Sequence, residues 1–176
     1  MNPIEKAKKI KLLILDIDGV LTDGRLYFNN QNEISVAFHI HDGLGMVLIR
    51  KAGIEIALIS GRDSKAVQGR AQELNINYVY LGCKNKQNAY TELRDKLKLS
   101  DEEIAYVGDD WIDIAPLQMA GLKFTVPNAV AEVKELADWC SPRAGGEGAV
   151  RDICDFLLKA QGKFDLMLKE FSVKKL

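Results

Sequence analysis

The sequence is poor in cysteine and histidine, carries almost no net charge and has no long apolar run. Its three cysteines form no CxxC pair, which favours a reduced, cytoplasmic protein whose thiols pack as small core residues. The formal net charge of −1 favours neither a nucleic acid nor an anionic membrane surface as a partner. The lysine-rich start precedes an apolar run too short for a signal peptide, and no stretch is long enough to span a bilayer.

Short apolar segments alternate along the chain with segments of helical periodicity. The predicted strands cover residues 11–15, 54–59, 78–81, 104–107 and 122–126. The predicted helices cover residues 44–52, 63–74, 85–97 and 129–137, the last of them capped by Asn128. Near-continuous apolar strands that alternate with helices predict an α/β fold, in which helices cover both faces of a doubly wound parallel sheet.

Two segments interrupt this alternation. Residues 25–38 predict a β-hairpin with a polar turn at residues 29–32. From about residue 148 an apolar stripe runs to Phe171, which predicts a helical tail made of one helix interrupted at Gly162 or of two helices. The chain contains no repeat and no low-complexity linker, so we expect residues 1–176 to form one domain.

Polar and charged side chains gather where four predicted strands end. They are Asp16 and Asp18 after the first strand, Ser60, Gly61 and Arg62 after the second, Lys86 after the third, and Asp109, Asp110 and Asp113 after the fourth. The carboxyl ends of strands in α/β sheets form the ligand-binding edge. Clustered carboxylates repel one another unless a cation balances them, and Mg²⁺ prefers oxygen ligands and often bridges to a phosphate. The pattern therefore predicts Mg²⁺ together with Lys86 as the positive partners of these acids.

Four of these segments resemble the motifs of a known superfamily. "DIDGVLTDG", "ISGR", Lys86 within "GCKNKQNA" and "GDDWID" resemble, in this order, the four motifs of the haloacid dehalogenase superfamily of phosphatases. The early hairpin, "HIHDGLGM" and "RAGGEGAVRDICDFLL" extend the resemblance over residues 11–161. They resemble the branch that removes phosphate from eight-carbon sugar acids for lipopolysaccharide synthesis. The resemblance implies a Rossmann-like fold with a hairpin flap and no cap domain.

The resemblance also implies roles for the residues at the strand ends. Asp16 would be the nucleophile that forms an aspartyl-phosphate, and Asp18 would act as general acid and then as general base. Mg²⁺ would be held by the Asp16 carboxylate, the Asp18 backbone carbonyl and Asp109. Ser60 and the amide of Gly61 would bind phosphoryl oxygens.

The remaining charged residues of these motifs would support this chemistry. Lys86 would balance the charge of Asp16 and of the phosphoryl group. Asp113 would orient either a metal-bound water or Lys86. The role of Asp110 stays open between these two. By the same resemblance, Mg²⁺ is the expected cofactor and a small sugar acid phosphate the expected substrate.

The sugar acid also needs donors for its carboxylate and hydroxyl groups. By resemblance these come from His39, Ile40, His41, Asp42, Gly43, Arg62, Arg70 and Arg143. His39 and His41 are equally well read as residues that merely finish the hairpin. Val47 stands where relatives often carry a basic residue, which leaves open whether Arg50 replaces it. Without a cap domain, the family covers its site by forming a homotetramer, and here residues 143–148 ("RAGGEG") are the expected covering loop.

Three other functions compete with this interpretation. The first is the same chemistry on a nine-carbon sialic acid phosphate or another small sugar phosphate, although Arg62 favours the eight-carbon acid because the nine-carbon enzymes tend to have an acidic residue there. The second is a phospho-receiver domain, which would lack the acid–base partner that Asp18 provides. The third is a non-catalytic relative, in which some motif residues would be missing, whereas all are present here.

Overall fold

The computed structural model describes residues 2–172, and its centre is a parallel sheet of six strands. In chain order the strands are β1 (Leu12–Leu15), β2 (Tyr27–Phe28), β3 (Ile34–Ser35), β4 (Glu55–Ile59), β5 (Tyr78–Tyr80), β6 (Ile104–Val107), β7 (Leu122–Thr125) and β8 (Trp139–Cys140). The large sheet has the order β5-β4-β1-β6-β7-β8, and all its neighbouring strands are parallel. Strands β2 and β3 form a separate antiparallel hairpin.

Helices α2 to α6 connect strands of the large sheet, whereas α1 precedes β1 and α7 and α8 follow β8. The helices are α1 (Pro3–Ala7), α2 (Ile40–Lys51), α3 (Lys65–Glu73), α4 (Lys86–Leu97), α5 (Ile114–Met119), α6 (Ala131–Leu136), α7 (Ala149–Ala160) and α8 (Phe164–Lys169). Short 3-10 turns cover Asp101–Glu103 and Trp111–Asp113. Within residues 2–172 no helix combines the length and the apolar character needed to cross a bilayer.

The strand order places a topological switch point beside β1. The chain proceeds from β1 to β4 and β5 on one side, and then crosses to β6, β7 and β8 on the other. Leu15 therefore pairs with Val107, and the amide of Asp16 donates to the Val107 carbonyl at 3.0 Å. Residues that follow β1 and β6 are thus held side by side at the edge where α/β sheets bind their ligands.

The central strands are buried along their whole length, which explains why their sequences are apolar without alternation. All residues of β1 and β6 are inaccessible to solvent, including the aromatic side chain of Tyr106. Helices α2 and α7 pack against each other, and their buried faces join the same core. A parallel strand covered on both faces needs apolar residues at every position.

The predicted α/β architecture is confirmed, and the differences lie in short elements. Each of the five predicted strands is present within one residue of its predicted limits, and residues 25–38 contain the hairpin. The tail forms two helices that are separated at Gly162, which has a positive φ of 66°. Strand β8 and helices α1 and α5 were not predicted, because elements of two to six residues carry too little periodicity to be recognised.

The predicted cap at Asn128 is wrong. Helix α6 begins at Ala131 and its N-terminal cap is Val130, whose backbone is extended. The side chain of Asn128 instead donates to the carbonyl of Gly19 and accepts from the amide of Gly145, both at 2.8 Å. Two long-range hydrogen bonds have replaced the local capping bond that the sequence suggested.

The prediction for residues 39–43 is also corrected. These residues were expected to form a binding loop, but Ile40 begins helix α2 and His39 is its N-terminal cap. The Nδ1 atom of His39 accepts from the amide of His41 at 3.2 Å. The motif "HIHDG" is therefore the first turn of a helix, and its residues divide between the surface and the α2–α7 contact.

Candidate active site

A buried ion-pair network joins the ends of three elements. The ammonium group of Lys86, the first residue of α4, lies 2.6 Å from Asp16 Oδ1 and 2.8 Å from Asp113 Oδ1. All three side chains are almost completely inaccessible to solvent. One cation therefore bridges the carboxylate that follows β1 and the carboxylate that follows β6. Burial of charged groups is tolerated only when they are paired in this way.

The position of Asp113 is fixed by four donors. Besides Lys86, the hydroxyl of Tyr106 donates to Asp113 Oδ1 at 2.7 Å. The amides of Asp109 and Asp110 donate to its other oxygen at 3.1 and 3.4 Å. Asp113 thus orients Lys86 and the backbone that carries Asp109, which matches one of the two roles left open for it. Asp110 uses its side chain to cap the 3-10 turn through the amide of Trp111 at 2.7 Å.

Asp109 lies where a cation would be expected. Carboxylate oxygens of Asp16, Asp109 and Asp113 lie within 4.8 Å of one another. The Oδ1 atom of Asp109 is buried and has no hydrogen-bond partner among the described residues. Its carboxylate packs directly against Gly19, where an added methyl group would overlap it. An orphaned carboxylate oxygen within a set of hard oxygen donors fits Mg²⁺.

The electrostatics of these side chains show the same need for positive charge. Burial, followed by repulsion from Asp113, raises the pKa of Asp109 to about 7 and also raises the pKa of Asp16. Burial opposes the charged form of Lys86, but the carboxylates of Asp16 and Asp113 outweigh it and raise the pKa of the lysine. Lys86 is therefore charged at neutral pH, and a divalent cation would be needed to keep both Asp16 and Asp109 ionised.

Asp18 faces the same edge from a more open position. Its side chain is 32% exposed, and its carboxylate lies 3.5 Å from the hydroxyl of Ser60 and 3.4 Å from the guanidinium of Arg62. The amide of Arg62 donates to Ser60 Oγ at 3.1 Å. Gly61 lies between them, close to the backbone of Cys83 and the side chain of Ile112. The structure therefore brings the ends of β1 and β4 together around Asp18.

Other predicted substrate residues are engaged elsewhere in the chain. The buried carboxylate of Asp42 accepts from the amide of Arg151 at 2.7 Å through Oδ1, and this bond stabilises the start of α7. Burial raises the pKa of Asp42. Gly43 packs against the guanidinium of Arg70, which donates to Glu73 at 2.8 Å. None of these side-chain contacts involves the residues at the strand ends.

Val47 and Arg50 belong to the structural framework as well. Val47 packs against the hydrophobic core. Arg50 donates to the carbonyl of Leu74 at 2.7 Å, which ties α2 to the end of α3. Arg50 is therefore engaged with the end of α3 through its guanidinium group.

Residues 143–148 form a loop that rests on the turn following β1 of the same chain. Arg143 makes a bidentate ion pair with Asp152, so its guanidinium is fixed within the loop. A methyl group at Gly145 would overlap the Gly19 carbonyl oxygen, and the amide of Gly146 donates to the Val20 carbonyl at 3.1 Å. The predicted close approach of a glycine backbone is thus present, and its target is the turn that follows Asp18.

Tyr106 and Asn128 are site residues that the sequence did not reveal. A tyrosine in a buried strand is most simply read as core, and an asparagine before a helix is most simply read as a cap. Asp23, the third acid of the opening motif, accepts from the amide of Arg25 at 2.9 Å and so forms a turn. The spacing of the motif alone did not show that Asp23 forms a turn, whereas Asp16 and Asp18 lie at the edge of the sheet.

The doubly wound sheet carries a buried Asp–Lys–Asp network at its switch point, and Asp109 lies beside it with a carboxylate oxygen that has no partner among the described residues. This is the arrangement of a haloacid dehalogenase-like hydrolase. The family model with this description matches residues 82–152. The chain is 45% identical to 3-deoxy-D-manno-octulosonate 8-phosphate phosphatase KdsC of Escherichia coli strain K12 over 162 residues, which is 92% of this chain and 86% of that protein. The chain belongs to the 3-deoxy-D-manno-octulosonate 8-phosphate phosphatase family.

Solved structures agree with this assignment. The phosphatase of Moraxella catarrhalis, in complex with a magnesium ion, a phosphate ion and a KDO molecule, superposes with a TM-score of 0.95 at 38% identity. The match covers 97% of this chain and 98% of that one. The cobalt-bound phosphatase of Haemophilus influenzae gives a TM-score of 0.88 at 38% identity and covers 92% and 94% of the two chains.

The raised pKa of Asp109 predicts that the difference in unfolding free energy between the wild type and Asp109→Asn depends on pH. Because its pKa of about 7 in the folded, metal-free chain exceeds the ordinary 3.8, Asp109 contributes stability that is present below pH 4 and lost as the pH rises through 7. We expect Asp109→Asn to be more stable than the wild type at pH 8 in chelator, by up to about 4 kcal/mol, since a shift of one pKa unit corresponds to about 1.4 kcal/mol. The difference should vanish near pH 4 and should reverse at pH 8 in excess Mg²⁺. Urea unfolding across this pH range measures it, and a pH-independent difference would contradict the assignment.

Proposed function

We propose that the protein hydrolyses 3-deoxy-D-manno-octulosonate 8-phosphate to 3-deoxy-D-manno-octulosonate and phosphate, a reaction that serves lipopolysaccharide synthesis. The observation that carries this proposal is the buried network in which Lys86 bridges Asp16 and Asp113 beside Asp109. Membership of the phosphatase family, with 45% identity over 92% of the chain, supports the substrate.

The proposed reaction begins at Asp16. Its carboxylate attacks phosphorus and forms an aspartyl-phosphate, while the bond to the sugar oxygen breaks. Lys86, held at 2.6 Å from Asp16, orients this carboxylate and partly offsets the rise in its pKa that burial causes. Mg²⁺ is the cofactor; Asp16, the backbone carbonyl of Asp18 and Asp109 would hold it, and it would supply positive charge that neutralises the carboxylates and the phosphoryl oxygens.

Asp18 completes both halves of the reaction. Its partly exposed carboxyl group gives a proton to the departing sugar oxygen, which leaves as a hydroxyl group. The resulting carboxylate then takes a proton from the water that hydrolyses the aspartyl-phosphate. Ser60 and the amide of Gly61 bind phosphoryl oxygens. Arg62, which lies 3.4 Å from Asp18, is placed to bind the sugar acid. The presence of an arginine at this position, where the nine-carbon enzymes tend to have an acidic residue, supports the eight-carbon substrate over a nine-carbon sialic acid phosphate, which is the second candidate.

We further propose that the chain works as one domain within a cytoplasmic homotetramer. Among the described residues, the two hairpin strands pair with each other and with no strand of the large sheet. The hairpin presents exposed apolar side chains at Tyr27, Phe28 and Ile34. Phe28 is 64% exposed and Ile40, which follows the hairpin, is 76% exposed. Exposed apolar groups of this size mark interaction surfaces. A neighbouring subunit would cover them and would close the otherwise open site.

Phosphate release from 3-deoxy-D-manno-octulosonate 8-phosphate tests the proposed function. We expect turnover in Mg²⁺, loss of turnover in excess EDTA and recovery when Mg²⁺ is restored, because no other cation lies against Asp109 in the described part of the chain. Full activity in excess chelator would contradict the proposal. A phosphoprotein that persists after incubation with a small phosphodonor would instead favour the receiver interpretation.

A further inference from the structure

We propose that Asn128 is a positioning residue of the metal site, and that its side-chain amide holds the backbone next to Asp18 in the orientation that Mg²⁺ binding requires. This inference rests on the proposed function, since it takes the Asp18 carbonyl and Asp109 as metal ligands. Asn128 is far from both in sequence and was not expected to take part in the site. Its two hydrogen bonds to Gly19 and Gly145, each of 2.8 Å, are the observation that carries the inference.

The orientation of the amide is determined by its partners. The Gly19 carbonyl oxygen can only accept, so it must face Nδ2 of Asn128. The Gly145 amide can only donate, so it must face Oδ1. Only an amide side chain offers a donor and an acceptor in this geometry. Asn128 therefore clamps the loop of residues 143–148 onto the turn that follows β1.

Gly19 is restrained at both of its polar groups. Its N–H donates to Thr22 Oγ1 at 3.3 Å, and its carbonyl accepts from Asn128. Its φ of 92° lies in the left-handed region, which glycine alone adopts readily. The N–H of Gly19 and the carbonyl of Asp18 belong to one planar peptide group, so the direction of the first fixes the direction of the second. Thr22 therefore holds the peptide group that carries the Asp18 carbonyl, while Asn128 holds the next peptide group, so Gly19 is fixed on both sides.

The same segment also holds the other ligand. The amide of Val130, two residues after Asn128, donates to the carbonyl of Asp109 at 2.9 Å. The carboxylate of Asp109 packs against the Cα atom of Gly19 and leaves Oδ1 buried without a partner among the described residues. Residues 128–130 therefore bond both to the backbone next to Asp18 and to the backbone of Asp109. Through these bonds, Asn128 determines the relative orientation of the two proposed metal ligands.

Direct Mg²⁺ titration of the metal-free protein by calorimetry tests this role without substrate. Asn128→Ala should raise the Mg²⁺ dissociation constant about tenfold, the effect typical of groups that orient metal ligands. Asn128→Ser, which keeps a single short polar group, serves as a milder variant if the alanine variant does not fold. The matched control is Asn88→Ala on the exposed face of α4, which should leave the dissociation constant unchanged. The variants should regain most of their phosphatase turnover at saturating Mg²⁺.

The outcomes separate this inference from the proposed function. A lower stability of the Asn128 variants together with wild-type Mg²⁺ affinity would overturn the positioning role and would leave the proposed function standing. A wild-type protein that binds no Mg²⁺ would instead overturn the proposed function itself. Weaker Mg²⁺ binding in the Asn88 control would also overturn the inference, because the effect would not be specific to Asn128.

Discussion

Replacing Asp16 with asparagine is expected to abolish turnover, with a loss of at least about 10⁴-fold in kcat, as is typical when a nucleophile is removed. The amide keeps the shape of the side chain but cannot attack phosphorus and is a poor ligand for Mg²⁺. Lys86 still has Asp113 at 2.8 Å, so the buried ammonium group remains paired and the fold should persist. Phosphate release and circular dichroism of the purified variant measure the two effects.

The matched control for this variant is Asp23→Asn. Asp23 belongs to the same motif, but it accepts from the Arg25 amide and lies 3.4 Å from the Tyr27 hydroxyl, so it forms the turn that leads into the hairpin. We expect Asp23→Asn to retain most of the activity. Near wild-type turnover of Asp16→Asn, with the substitution verified by mass spectrometry, would show that another residue is the nucleophile.

Replacing Lys86 with methionine is expected to impair both stability and catalysis. It removes the cation from a network that excludes solvent, and breaking a buried ion pair from one side typically costs about 3–5 kcal/mol. Without Lys86 the pKa of Asp16 should rise further, since burial already raises it and the lysine opposes that shift. The variant should therefore lose stability as the pH rises, and kcat should fall by about 10²–10³-fold, as for the loss of an electrostatic catalytic group.

The neighbouring Lys84 provides a control with the same substitution. Lys84 is exposed, so Lys84→Met should change stability and turnover little. Urea unfolding of both variants at pH 5 and pH 8, together with phosphate release, distinguishes the two lysines. Equal stability losses for the two variants, or a loss for Lys86→Met that does not depend on pH, would contradict the assigned role of Lys86.

The central strands and the catalytic edge could be predicted because their chemistry is local in sequence. Strands β1 and β6 are apolar throughout, and each ends in acids that a buried strand would not otherwise carry. The parallel topology alone then brings Asp16 and Asp109 to the same edge. Lys86 and Ser60 follow from the same rule, because they stand just after the strands on one side of β1.

What the sequence did not predict depends on contacts between distant segments. Asn128 is an adequate helix cap in isolation, and only the arrival of Gly19 and Gly145 gives its side chain different partners. Asp42 belongs to a motif that was expected to bind the substrate, but its carboxylate accepts a hydrogen bond from the start of α7. Such contacts join residues about 17 to 109 positions apart, which no local periodicity encodes.

The loop of residues 143–148 illustrates the same limit. Its glycines suggested close backbone approach, and residues 143–148 were the expected covering loop of the site. Gly145 in fact abuts the carbonyl of Gly19, so a larger residue there would displace the turn that carries Asp18. Substitutions at Gly145 therefore cannot separate substrate specificity from the metal site, whereas Arg143, which pairs with Asp152, lies outside that contact.

The substrate is tested most directly by kcat/KM measured in Mg²⁺ for three phosphate esters. These are 3-deoxy-D-manno-octulosonate 8-phosphate, a nine-carbon sialic acid 9-phosphate and p-nitrophenyl phosphate. We expect the eight-carbon ester to be preferred over the nine-carbon ester by at least about tenfold, the discrimination that a pocket contact of modest size can supply. We also expect the lowest kcat/KM for p-nitrophenyl phosphate, which lacks the groups that Arg62 would bind. Equal values for the three esters, or a preference for the nine-carbon ester, would contradict the proposed function.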